Sequence, residues 1–125
     1  MARVMIYEDS KEDLIERYED LPRLHDVSVR SLDNRDWSVD EAPFRKAGFD
    51  LSKIRDYDPT EEIVGADIYF VDGLNGICFN ILPRLPRERT FLNTGHHSIR
   101  ESAKKQGYQI LETTPEEAIQ RVLKL

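Results

Sequence analysis

Residues 66–76, ADIYFVDGLNG, contain the most strand-like segment of this chain. The β-branched and aromatic side chains that run up to Val71 are typical of a buried strand, and Gly73 and Gly76 indicate a turn directly after it. Asp72 therefore stands where the strand ends. A carboxylate in that position either begins a solvated loop or belongs to a functional site, and the rest of the chain has to distinguish these two roles.

Further strands are predicted on both sides of this segment. Residues 3–7 form a short apolar run that ends at Glu8 and Asp9, and residues 27–32 alternate apolar with polar side chains. After the segment, RTFLN (89–93) and YQIL (108–111) predict two more strands. Five strands are therefore expected, separated by segments with helical patterns.

Helices are predicted where capping residues precede apolar side chains at helical spacing, because such residues satisfy the free N–H groups of a first turn. Gly107 is expected to end the second of these helices. ICFNIL (77–82) predicts one shorter helix. The capping residues are Ser10 with Asp13, Ser98 with Glu101, and Thr114 with Pro115 and Glu117.

Residues 33–62 are expected to form an elaborated connection between the second and third strands. Pro43, Gly48 and Pro59 interrupt this segment, and short helices are expected at 41–47 and 51–55. The chain shows no repeat, low-complexity tract or linker, so residues 1–125 are expected to form a single domain.

Strands that alternate with helices predict an α/β fold, a doubly wound five-stranded parallel sheet. In a sheet ordered 2-1-3-4-5, the first and third strands are neighbours that flank the topological switch point. Ligands of such sheets bind beyond the carboxyl ends of the strands at that point. Glu8, Asp9 and Asp72 would then converge, and their mutual repulsion would favour binding of a hard divalent cation such as Mg²⁺.

The composition narrows the possible partners and the compartment. The net charge of −6 argues against a general affinity for nucleic acid or for anionic membranes, which both attract cationic surfaces. The single cysteine, Cys78, excludes an internal disulfide and fits a reducing compartment. The chain has no apolar run of membrane-spanning length, and its start does not read as a secretion signal, so we expect a cytoplasmic protein.

Thr94 and Gly95 follow the fourth strand, where the hydroxyl could reach an oxygen of a phosphoryl group on Asp72. The chain order of these residues resembles that of the response-regulator receiver domain, the CheY-like family. Glu8 and Asp9 match the family's acid pair, Asp72 its phosphoacceptor, and Thr94 its hydroxyl residue. This resemblance implies a flavodoxin/CheY-like sheet and a Mg²⁺ site made of Glu8, Asp9, Asp72 and the backbone carbonyl of Leu74.

The chain departs from the family pattern at several places, including GLNG (73–76) after Asp72 and the longer connection before the third strand. Thr114 stands where the family has a lysine that contacts the phosphoryl group, and no lysine or arginine lies between residues 107 and 120. Leu111 stands at the family's aromatic switch position. The resemblance is therefore to an atypical receiver, and Thr114 is most simply a helix cap.

The expected function is that of a stand-alone receiver in phosphorelay signalling. Asp72 would accept a phosphoryl group from a histidine kinase or phosphotransfer protein, Thr94 would contact that group, and the signal would pass by contact with a downstream protein. One alternative is an interaction module of the same fold that needs no phosphorylation. The other is a Mg²⁺-dependent phosphohydrolase, although the usual aspartates one residue apart are replaced by the adjacent Glu8 and Asp9.

Other conspicuous side chains have structural explanations. His96 and His97 are adjacent, have no partner at metal-ligand spacing and are expected at the exposed start of a helix. Cys78 is expected to be a small buried hydrophobic residue. Trp37 is expected either to pack within the connection or to belong to a partner surface.

Overall fold

Six strands form one all-parallel sheet in the computed structural model, which describes residues 1–32, 37 and 40–124. The strands lie side by side in the order β3-β2-β1-β4-β5-β6. Each neighbouring pair is parallel. The strand bounds are β1 Arg3–Glu8, β2 Asp26–Ser31, β3 Ile54–Asp56, β4 Ile68–Val71, β5 Thr90–Leu92 and β6 Gln109–Ile110.

Helices connect these strands, and short 3₁₀ turns lie between them. None of the helices within the described ranges combines the length and the apolar character required to cross a lipid bilayer. The α-helices are α1 Lys11–Tyr18, α2 Leu21–Leu24, α3 Ala42–Lys46, α4 Cys78–Ile81, α5 His97–Lys105 and α6 Pro115–Leu123. The 3₁₀ turns are Leu51–Lys53, Leu74–Gly76, Leu82–Arg84 and Arg87–Arg89.

The α/β class and the parallel sheet are confirmed, whereas the expected strand count and the order 2-1-3-4-5 are wrong. The difference is β3, which adds a strand beyond β2 at the edge of the sheet. The helix expected at 51–55 is a single 3₁₀ turn, in which Asp50 accepts a hydrogen bond from the Ser52 N–H. The chain then becomes extended at Ile54, which pairs with Val29. This pairing satisfies backbone groups of β2 that would otherwise form an open edge.

Two hydrophobic clusters cover the two faces of the sheet, as the alternation of side chains along a strand requires. In β4, Phe70 contributes to the first cluster and Tyr69 to the second. The first contains side chains of α1, α3 and α6, and the second contains side chains of α4 and α5. The helices therefore pack on both faces of the sheet, and the ends of the central strands remain available for a functional site.

The first and last predicted caps are confirmed. The Ser10 hydroxyl accepts a hydrogen bond from the Asp13 N–H at 3.2 Å. The Thr114 hydroxyl accepts one from the Glu117 N–H, also at 3.2 Å. Both helices therefore begin where their sequences predict.

The capping prediction for α5 is wrong. Ser98 lies inside this helix. His96 occupies the N-terminal capping position, but its side chain makes no capping hydrogen bond. The reason lies upstream, where the Thr94 hydroxyl accepts a hydrogen bond from the His96 N–H at 3.2 Å and turns the chain before Ser98 is reached. Gly107 follows the last turn of α5 with φ +85°, a left-handed conformation that favours glycine, so its predicted role is confirmed.

Part of the expected connection falls outside the described residues, namely 33–36 and 38–39. The predicted helix at 41–47 is present as α3. Trp37 is 7% exposed and belongs to the first hydrophobic cluster, with its ring centroid 5.6 Å from that of Phe44. The connection therefore packs against the core through at least these two rings.

Candidate functional site

The pairing of β1 with β4 places three carboxylates at one end of the sheet. Tyr7 pairs with Val71, and the Asp72 N–H donates to the Tyr7 carbonyl at 2.9 Å. The residues that follow each strand are therefore neighbours. Carboxylate oxygens of Glu8, Asp9 and Asp72 lie within 4.8 Å of one another. The structure thus brings together the acids that the sequence suggested.

Glu8 is the most deeply buried of these acids. Its side chain is 0% exposed, whereas Asp72 is 8% exposed as a residue and Asp9 is half-buried. Glu8 Oε1 accepts a hydrogen bond from the Ser10 N–H at 3.3 Å. Glu8 Oε2 is also buried, and it has no hydrogen-bond donor within the described residues. A buried acceptor without a donor is costly, so this oxygen is an open ligand position.

The crowding of negative charge changes the protonation of the cluster. Burial, together with the neighbouring Asp72 carboxylate, raises the pKa of Glu8 to about 9. The same two causes, in the same order, raise the pKa of Asp9. Both shifts disfavour the ionised forms, and a bound cation would reverse that preference.

Arg17 in the last turn of α1 supplies a cation that the sequence analysis missed. Its Nη1 donates to Asp72 Oδ1 and to the Asn93 carbonyl, each at 3.0 Å. The same nitrogen is 3.7 Å from Glu8 Oε2, and Nη2 is 3.6 Å from Asp13 Oδ2. One guanidinium therefore joins α1, the acidic cluster and the end of β5.

No lysine or arginine lies between residues 107 and 120, and the positive charge beside Asp72 comes from the first helix. The only sequence signals for Arg17 are its position one helical turn after Asp13 and its place beside Tyr18, which packs in the core. The Tyr18 hydroxyl accepts a hydrogen bond from Asn93 Nδ2 at 2.8 Å, and this bond holds the same face of α1 against β5. Spacing along the chain predicts the face of a helix, but not the strand end that its side chains reach.

The second oxygen of Asp72 bonds to the turn that follows the strand. Asp72 Oδ2 accepts a hydrogen bond from the Leu74 N–H at 3.0 Å. The Leu74 carbonyl, predicted to be a metal ligand, accepts a bond from the Ile77 N–H at 3.1 Å. Its use as a ligand stays a prediction, and it would employ the second lone pair of that oxygen.

Thr94 lies beside the cluster without bonding to it. A Cβ atom placed on Gly73 would be 3.0 Å from the Thr94 hydroxyl and 3.2 Å from Ile99 Cδ1, so the hydroxyl packs closely against the backbone next to Asp72. Within the described residues, no hydrogen bond joins Thr94 to Asp72. The role of Thr94 in contacting a phosphoryl group stays a prediction that this position permits.

The remaining candidate residues have structural roles. Thr114 caps α6, as predicted. His96 and His97 are exposed at the start of α5. Cys78 is buried, and burial, with a smaller contribution from Asp72, raises the pKa of its thiol to about 11. These features confirm the structural explanations suggested by the sequence.

A groove with a volume of about 270 Å³ lies between the end of α1 and the start of α6. Arg17 forms part of its wall together with Tyr18, Leu24, Thr114 and Glu116. The side chain of Arg17 is 27% exposed. It therefore contacts the buried acids on one side and an open surface on the other.

The donor set suits a hard divalent cation. Carboxylate oxygens are the ligands that Mg²⁺ and Ca²⁺ prefer, and Glu8 Oε2, which accepts no hydrogen bond from the described residues, is an acceptor that such an ion would satisfy. Comparison with protein-family models, with curated proteins and with solved structures gave no match for this chain. The functional assignment therefore depends on the geometry and chemistry of this cluster.

Proposed function

We propose that this chain is an atypical receiver-like signalling module of the flavodoxin/CheY-like type, in which Asp72 accepts a phosphoryl group. Glu8, Asp9 and Asp72 would hold Mg²⁺, which when bound would neutralise charge on the carboxylates and on the transferring group. The observation that carries the proposal is the fully buried Glu8 carboxylate, whose Oε2 accepts no hydrogen bond from the described residues and lies beside two further acids.

The reaction would be an attack by one Asp72 oxygen on the phosphorus of a donor. A new O–P bond forms, and the bond between phosphorus and the donor's leaving atom breaks, with its electron pair departing on the donor. A phosphohistidine on a kinase or phosphotransfer protein is the expected donor, and a small acyl phosphate can replace it in vitro. The Thr94 hydroxyl would donate to an oxygen of the acquired group, and the signal would pass to a downstream protein by contact.

The test is mass spectrometry of the intact protein after incubation with Mg²⁺ and a small acyl phosphate. The expected result is a gain of one phosphoryl group that disappears in Asp72→Asn. Asp67→Asn is the matched control, because Asp67 stands at the opposite end of the same strand, where it accepts a hydrogen bond from the Arg3 N–H at 2.8 Å. Loss of the gain in both variants, or no gain in the wild type with a verified donor, would contradict the proposal.

A second candidate is an interaction module that needs no phosphorylation. It is favoured by the environment of Asp72, which is 8% exposed and has both carboxylate oxygens hydrogen-bonded, to Arg17 and to the Leu74 N–H. A protein that binds Mg²⁺ but gains no phosphoryl group from a verified donor would support this candidate over the first.

A further inference from the structure

Arg17 is the one cation, among the described residues, within ion-pair distance of the acidic cluster. Its Nη1 lies 3.0 Å from Asp72 Oδ1 and 3.7 Å from Glu8 Oε2. The same nitrogen is hydrogen-bonded to the Asn93 carbonyl, which helps to hold it in place. This guanidinium nitrogen therefore stands between two of the oxygens that a divalent cation would need.

We propose that Arg17 is an internal competitor for the cation site, so that its guanidinium and a divalent cation exclude each other between Glu8 and Asp72. This inference rests on the cation site of the proposed function. A Mg²⁺ ion requires its oxygen ligands at about 2.0–2.1 Å, which leaves no room for a nitrogen between the same two carboxylates. Two positive groups at that separation would also repel, because beside the fully buried Glu8 their charges are screened less than in bulk water.

The displaced side chain has an open groove beside it. Arg17 already forms part of the groove between α1 and α6, and the acids Glu19, Asp20 and Glu116 also line that groove. Of these acids, Asp20 is already ion-paired with Arg23 and Glu116 with His25, so rotation into the groove would bring Arg17 toward the exposed Glu19. Cation binding at the end of the sheet would therefore change the charge and shape of the surface between α1 and α6. Arg17 would in this way couple the cation site to the surface between α1 and α6. In a receiver, the lysine that this chain lacks has the corresponding role.

The direct test is Mg²⁺ titration of the wild type and of Arg17→Met by isothermal titration calorimetry. Methionine retains an unbranched apolar stem and removes the charge. The variant should bind Mg²⁺ more tightly by about 5- to 150-fold, the usual range for coupling between two competing interactions. Arg121→Met is the matched control, because Arg121 is exposed on α6 and its removal changes the net charge equally. Its Mg²⁺ affinity should match that of the wild type.

Unfolding experiments give an independent measure of the same competition. Without Mg²⁺, Arg17→Met should lower the stability, since it leaves the clustered carboxylates without their counter-charge. At saturating Mg²⁺ this loss should shrink by RT times the natural logarithm of the ratio of the two dissociation constants, as linkage requires. Arg17→Gln, which retains a hydrogen-bond donor, is the second variant if Arg17→Met does not fold.

The possible results separate this inference from the function on which it rests. Tighter binding in Arg17→Met together with an unchanged Arg121→Met supports the competition. Equal Mg²⁺ affinity in the wild type and both Arg17 variants overturns the competition and leaves the cation site standing. Absence of Mg²⁺ binding in all of these proteins overturns the cation site and the competition together. Equal tightening in Arg17→Met and Arg121→Met would show a general effect of net charge and would also overturn the inference.

Discussion

At the scale of single residues, Glu8 has the least favourable environment of the cluster. It is fully buried, one of its oxygens has no donor within the described residues, and the Asp72 carboxylate is its neighbour. Burial followed by Asp72 raises its pKa to about 9, from an ordinary value of 4.5. Without a cation, the protonated form of Glu8 is therefore favoured, and a bound cation would reverse that preference.

The stability of the metal-free protein should depend on pH through Glu8. A raised pKa means that the folded state holds the proton more tightly than the unfolded state, so this contribution is fully present below pH 4.5 and is lost as the pH rises through about 9. Glu8→Gln removes this contribution. Relative to the wild type, the variant should gain stability steadily from pH 5 to pH 9, as measured by urea unfolding in the presence of a chelator.

The control for this experiment is Glu16→Gln, which alters an exposed glutamate on α1. Its stability should run parallel to that of the wild type over the same pH range, because Glu16 is exposed on α1 and is not one of the three clustered acids. A constant difference between the wild type and Glu8→Gln would contradict the proposed environment of Glu8.

At the scale of secondary structure, the elements fall into two groups. The caps of α1 and α6 and the strands β1 and β4 depend on residues near in sequence, and they form where local patterns predict them. The strand β3 is not predicted by such a local pattern, because Ile54–Asp56 becomes extended by pairing with β2. Residues 54–56 lack a helix cap and are too short to show a clear strand period, so their conformation depends on a distant neighbour.

Because Thr114 caps α6, alanine substitutions at Thr114 and at the neighbouring Thr113 should affect the free energy of unfolding differently. Thr114→Ala removes the side-chain acceptor for the Glu117 N–H and should lower the free energy of unfolding by about 1 kcal/mol. Thr113→Ala should have little effect, because the Thr113 hydroxyl makes only an exposed 3.4 Å contact with the Thr114 carbonyl. Urea unfolding of both variants measures the difference.

The Mg²⁺ affinity of Thr114→Ala distinguishes a capping role for Thr114 from a role in the cation site. The affinity should stay at the wild-type value, since the hydroxyl caps α6 and makes no contact with the three acids. A large loss of Mg²⁺ binding without loss of stability would instead place Thr114 in the site.

At the scale of the whole molecule, the connection between β2 and β4 is part of the first hydrophobic cluster. Phe44 is fully buried there and contacts both Trp37 and Phe49, with ring centroids at 5.6 and 6.4 Å. The same cluster contains Ile6 of β1 and Phe70 of β4. The connection and the sheet therefore share apolar contacts, which is the condition for cooperative unfolding.

Trp37 is the single tryptophan of the chain, so its fluorescence reports on the connection alone. Urea unfolding followed by this fluorescence and by far-ultraviolet circular dichroism should give the same midpoint and slope, because the connection and the sheet unfold together. Phe44→Leu should shift both curves equally to lower urea. A fluorescence transition that precedes the dichroism transition would show that the connection unfolds separately from the sheet.

Local patterns along the chain were sufficient for the α/β class, the positions of Glu8, Asp9 and Asp72 at strand ends, and two of the three helix caps. These features depend on β propensity, capping and chain order, which act over a few residues. The sixth strand, the burial of Glu8 and the contact of Arg17 with Asp72 arise only from packing. Arg17 and Asp72 are 55 residues apart, and their contact requires α1 to fold back over the junction of β1 and β4. The positive charge beside Asp72 therefore comes from a helix, and the spacing of residues along the chain does not specify which strand end that helix contacts.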